Sequence, residues 1–69
     1  MTLDEYRRQL GWSIAELARQ SRLDTNTVRR ALSGESISGR TATALASAIS
    51  EGLGQTIHYT QIKGLNVSL

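Results

Sequence analysis

Residues 13–34 read SIAELARQSRLDTNTVRRALSG, and the fold follows from how this stretch divides into two short helices. Ser13 and Glu16 form an S-x-x-E capping box, in which each side chain satisfies a backbone N–H orphaned at a helix start. Trp12 just before the cap and Leu17 at the fourth helical position have the spacing of a hydrophobic staple. Ile14, Leu17, Ala18 and Ser21 then share one face at helical spacing, which predicts a helix over about 14–21. Asp24 is a natural N-cap for a second helix over 25–33, with Val28, Ala31 and Leu32 as its inner stripe and Gly34 as its stop. The opposite side carries Thr25, Asn26, Arg29, Arg30 and Ser33, an unbroken polar and basic strip. Only Arg22-Leu23-Asp24 separates the two helices. So short a connection forces a sharp angle, and the apolar faces need a third helix to cover them. Ala18 is small enough to let the pair cross closely.

The flanks supply those covering helices. Thr2 and Glu5 form a T-x-x-E capping box ahead of Leu3, Tyr6 and Leu10, and Gly11 is a C-terminal stop, so a helix is expected over about 3–10. After a short loop, Ser38 can cap a fourth helix that buries Ala42, Leu45, Ala46 and Ile49, with Gly52-Leu53 as its expected glycine stop. The last fifteen residues are ambiguous. Alternation of Ile57 and Tyr59 suggests a strand, but a lone strand has no partner unless a second chain supplies one. The preferred reading is one helical turn near 59–63, stopped by Gly64, with Ile62 and Leu65 folded onto the bundle.

Composition narrows the function. Sixty-nine residues with 39% apolar and 20% charged content suit one small globular unit. There is no Phe, and the aromatics are Tyr6, Trp12 and Tyr59, so the core must be aliphatic and alanine-rich. No run approaches the roughly 18 apolar residues of a membrane span, and Met1 to Arg8 is polar and helical in pattern rather than a leader. A cytoplasmic location is therefore expected. Without cysteine and with the single histidine His58, neither thiolate chemistry nor a zinc site can be built. No nucleophile–base pair or phosphate-cradling glycine loop stands out, so an enzyme is not expected, nor any cofactor or metal. Asp4, Glu5 and Glu16 are first-turn carboxylates that complement a helix dipole. Net charge is only +2, but residues 19–40 hold five arginines against Asp24 and Glu35. Arginine favours planar, bidentate contacts with phosphates and base edges. The plainer alternatives are a solvated face for Arg29-Arg30 and local capping chemistry for Thr25 and Asn26.

The pair of helices resembles the Cro/C1-type (XRE-family) helix-turn-helix of phage repressors and small bacterial regulators. The likeness runs over roughly residues 3–53 and rests on Glu16-Leu17-Ala18-Arg19, Thr27-Val28, the Leu32-Ser33-Gly34-Glu35 exit and the helix from Ala42 to Ile49. It implies an all-α, lambda-repressor-like bundle of four to five helices, a DNA-binding domain over 1–53, and a C-terminal extension over 54–69 packed on the bundle or on a second subunit. It also implies that helix 25–33 enters the DNA major groove. Thr25, Asn26, Arg29 and Arg30 then face base edges, with Arg29 divided between base and phosphate. Their chemistry suits this: Asn pairs with adenine, Arg with guanine, and Thr meets a thymine methyl. Ser13 and Ser33 match positions at the sugar–phosphate backbone, and Arg40 matches one there or in the minor groove. Arg22 stands where the family commonly has glycine, so either the turn is wider or arginine takes a left-handed conformation costing ~1 kcal/mol. Ile14 stands where a phosphate-gripping glutamine is common. Residues from Gln55 onward have no counterpart in the minimal members.

The resulting expectation is a sequence-specific transcriptional regulator, a repressor, that binds double-stranded DNA as a homodimer on a palindromic site. Ile57, Ile62, Leu65, Val67 and Leu69 are its candidate dimer surface. The alternative is a protein-interaction module, such as an antitoxin or regulatory subunit that uses the same fold to hold a protein partner.

Overall fold

The computed structural model describes residues 1–68. Helix α1 (Leu3–Leu10) starts as its capping box requires: Thr2 Oγ1 accepts the Glu5 N–H at 3.2 Å and Glu5 Oε1 accepts the Thr2 N–H at 2.8 Å. Helix α2 (Ile14–Ser21) is capped by Ser13, whose Oγ accepts the Glu16 N–H at 3.0 Å. The expected reciprocal bond is missing. Glu16 turns its carboxylate to Arg19 and to Gln20 Nε2 at 2.7 Å, where charge-assisted and amide donors outcompete the Ser13 N–H. Helix α3 (Thr25–Leu32) is capped by Asp24, which accepts the Thr27 N–H at 2.7 Å.

Arg22 resolves the question of the turn. It sits at φ 59°, ψ 38°, and the Leu23 N–H bonds Ala18 O at 2.9 Å while its own N–H bonds Arg19 O at 3.2 Å. That is a Schellman ending, with half-buried Leu23 folded inward beyond it. The turn keeps its three residues, and arginine takes the left-handed conformation.

Strand β1 (Ser36–Ser38) occupies what reads in sequence as a loop. Helix α4 (Gly39–Leu53) follows, capped by Ser38, and its glycine stop comes two residues later than expected. Its left-handed stop is Gly54 at φ 72°; Gly52 lies inside the helix, where Leu10 and Trp12 from α1 and the loop that follows leave no room for a Cβ.

The core sits where the four helices meet. Leu17, Val28, Leu45 and Ile49 are fully buried, joined by Leu3, Tyr6, Ala18, Ala31, Ile37, Ala42, Ala46 and Ile62. Alanines at the crossings of α2, α3 and α4 let short helices approach closely. Ser21 is buried among them, its Oγ 2.6 Å from Leu17 O, so the hydroxyl carries its own acceptor. Among the described residues no helix is long and apolar enough to cross a membrane.

The tail is more ordered than its sequence suggests. Ile57 and Tyr59 do not form a strand: Ile57 is clasped by Ser50 of α4, and Tyr59–Gln61 is a single 3₁₀ turn. Ile62 enters the core and Leu65 packs on it. Strand β2 (Asn66–Ser68) then pairs in parallel with β1, in the register Ser36–Asn66, Ile37–Val67 and Ser38–Ser68. The tail's strand thus lies beyond the Ile57–Tyr59 alternation and pairs within the chain.

Candidate nucleic-acid interface

Helix α3 offers its outer side to solvent because only one stripe is apolar. Val28 and Ala31 are buried and Leu32 is half-buried, whereas Thr25, Asn26, Arg29, Arg30 and Ser33 are all exposed. Thr25 and Arg29, and Asn26 and Arg30, are four residues apart, so they stand in two adjacent rows along the helix. Among the described residues the side chains of Thr25, Asn26 and Arg29 engage no hydrogen-bonding partner. The capping work that could have consumed them is done by Asp24. Hydrogen bonds from the side chain and backbone of Thr27 hold the Asp24 carboxyl below its ordinary value of 3.8, so it stays ionised at the helix start.

Arg30 has a competitor. Its Nε is 3.9 Å from Glu35 Oε1, and both side chains are more than half exposed. Such a pair is worth about 0–1 kcal/mol, small enough to be exchanged for a bidentate base contact. Ser33 directs its hydroxyl inward, 3.0 Å from Arg29 O and 3.1 Å from Arg30 O, and lies 3.2 Å from Glu35 Oε2. It caps the exit of α3, and its exposed oxygen retains accepting capacity.

Ser13 is exposed at the start of α2 and Arg40 is exposed in the first turn of α4. Arg40, Arg29, Arg22 and Lys63 form no ion pair among the described residues, while Arg7, Arg8 and Arg19 are drawn onto Asp4 and Glu16. Of these, Arg29 lies on α3, Arg22 in the turn before it and Arg40 in the first turn of the helix after it, whereas Lys63 lies beside Met1 and Thr2 at the start of α1. Ile14 is half-buried and packs against the core, so the position is apolar support and not a phosphate grip.

Arg22, read in the sequence as a turn residue and not as a DNA-facing one, is an exposed cation beside α3 with no ion pair among the described residues. Sequence reasoning overlooked one feature of this region. The β1–β2 pair places Asn66 against the exit of α3, its Nδ2 3.4 Å from Gly34 O. Ser36-Ile37-Ser38 and Asn66-Val67-Ser68 share a polar–apolar–polar pattern, but three residues are too few to announce a strand.

No curated protein and no solved structure matches the chain. Residues 3–54 match the helix-turn-helix family, a span that takes in all four helices and stops at the glycine ending α4. Two eight-residue helices joined through a three-residue turn, with the second helix bare on its polar side, are the arrangement that match implies, with arginine in place of the usual glycine at the turn; the chain belongs to the Cro/C1-type (XRE) helix-turn-helix family of DNA-binding domains.

Proposed function

We propose that the protein is a sequence-specific transcriptional repressor whose domain over 1–53 inserts α3 into the major groove of its operator. One observation carries the reading: the exposed strip of Thr25, Asn26, Arg29 and Arg30, engaged only by the weak Arg30–Glu35 pair, on a helix capped by Asp24 and Ser33. Asn26 and Arg30 read base edges, Thr25 meets a thymine methyl, and Arg29 serves base or phosphate. Ser13, Ser33 and Arg40 fix the domain on the sugar–phosphate backbone from three separate elements, which sets register without reading sequence. A bound domain of this kind represses by occupying the duplex.

The working form is a homodimer on half-sites one helical turn apart. Half-buried Ile57, Leu65 and Val67 in the extension over 54–69 supply its apolar contact; Ile62 is spent on the core, and Leu69 lies outside the described residues. In-vitro selection of duplexes, followed by mobility shifts at several salt concentrations, tests the whole reading. A palindromic consensus that survives competitor DNA is expected. Recovery of no preferred duplex, with a stoichiometric protein partner captured instead, overturns it in favour of an interaction module.

A further inference from the structure

The family match ends at residue 54, yet the fourteen described residues beyond it return to the end of α3. Three anchors lead the chain there. Ser50 holds Ile57 through its backbone, Ile62 is only 3% exposed in the core, and the Lys63 N–H bonds Met1 O at 2.9 Å. From Gly64, at φ 83°, the chain turns into β2.

The contacts of β2 fall on the segment that joins α3 to α4. Asn66 is paired with Ser36 and reaches Gly34 O with its side chain; Val67 is paired with Ile37, which is buried; Ser68 is paired with Ser38, the N-cap of α4. Gly34 itself is left-handed at φ 83°, and the segment after it makes just one helix-type bond back to α3, Glu35 N–H to Arg30 O at 3.0 Å. Without β2, strand β1 would be held by the burial of Ile37 alone, with its strand-edge backbone groups unpaired. With β2, the path from Ser33 to Arg40 is fixed at both ends and in the middle.

We infer that β2, through its pairing with β1 and the Asn66 amide on Gly34, is a positioning element for DNA binding that sets where Arg40 and the exit of α3 meet the duplex backbone. This rests on the function proposed above, since it is Arg40 and Ser33 that β2 positions. Asn66 acts through that segment and touches no DNA itself.

The test is a double-mutant cycle in the full-length chain. Asn66→Ala and, separately, Val67→Ala are combined with Arg40→Ala, and each protein is titrated with the selected duplex and with unrelated duplex. Asn66→Ala should weaken both complexes about fivefold while the thermal midpoint stays within a few degrees. In the Arg40→Ala background the same substitution should have a clearly smaller effect, because one of the two contacts it positions is gone and only that of Ser33 remains. A full fivefold loss in that background overturns the inference, as does unaltered binding in both single variants. Backbone amide shifts of Ser33 to Arg40 separate this from the function itself. They should move in Asn66→Ala even if no duplex is bound, whereas shifts confined to residues 64–69 would refute positioning.

Discussion

Trp12 packs on Gly52 so closely that a Cβ on the glycine would fall 2.9 Å from the ring carbons Cζ2 and Cη2. Leu10 Cδ2 closes on the same point at 2.9 Å. The contact joins the loop after α1 to the last turn of α4, and it explains why a helix-weakening residue is kept inside α4. Gly52→Ala at an ordinary helix position would stabilise by about 1 kcal/mol. Here overpacking of about 1–3 kcal/mol opposes that gain, and a net loss near 1 kcal/mol in urea unfolding is expected. Trp12 is the one tryptophan, so its fluorescence should shift in the same variant.

Ser50 is a second joint between the bundle and the tail. Its Oγ accepts the Ile57 N–H at 2.8 Å and lies 2.7 Å from Ala46 O. Ser50→Ala leaves a half-buried N–H without its acceptor and should destabilise by about 1–3 kcal/mol. Hydrogen exchange should accelerate first over residues 55–63, and protection there equal to the parent chain would contradict the joint.

Arg22→Gly should stabilise the chain by about 0.5–1 kcal/mol, because glycine enters the left-handed region without the Cβ–carbonyl conflict that an arginine meets at φ 59°. Chemical denaturation measures it. A lower midpoint would mean that the arginine side chain contributes more than its backbone loses.

Arg30→Ala should lose about 1–3 kcal/mol of discrimination at one base position and leave affinity for unrelated duplex nearly unchanged. Arg40→Ala should weaken all duplexes alike and lower the slope of log affinity against log salt by about one. Loss of discrimination in Arg40→Ala would reverse these assignments.

Acid sensitivity follows from the caps. Asp24 is held below 3.8 by hydrogen bonds from Thr27, and Glu5 below 4.5 by its bonds with Thr2. Glu16 is likewise lowered by Gln20 and Arg19, and Asp4 by Arg7. Protons bind the unfolded chain more readily, so the stability these groups contribute is present above their unfolded values and is lost as pH falls through the lower folded ones. Asp24→Asn keeps the cap and should show a nearly unchanged urea midpoint at pH 7. Its decline below about pH 4 should be shallower than the parent's. An identical acid limb would remove Asp24 from the account.

What could be read without coordinates was local. Capping residues Thr2, Ser13, Asp24 and Ser38 declare helix starts because their side chains bond amides two or three residues on, and apolar spacing declares which side faces inward. The exposed strip on α3 was legible for the same reason: it is the complement of Val28 and Ala31. Choices among competing partners, near or far in sequence, were not legible. Glu16 bonds Arg19 and Gln20 instead of closing its box, a competition among side chains within one turn that spacing cannot rank. Gly52 continues α4 and Gly54 stops it; the glycine at 52 answers to Trp12 and Leu10, which leave no room for a side chain, and not to a helix end. The partnership of Ser36-Ile37-Ser38 with Asn66-Val67-Ser68 depends on Ile62 first entering the core and carrying the tail back across the bundle. Short segments of three residues hold no preference strong enough to announce a strand; only the packed helices bring their backbones within hydrogen-bonding reach.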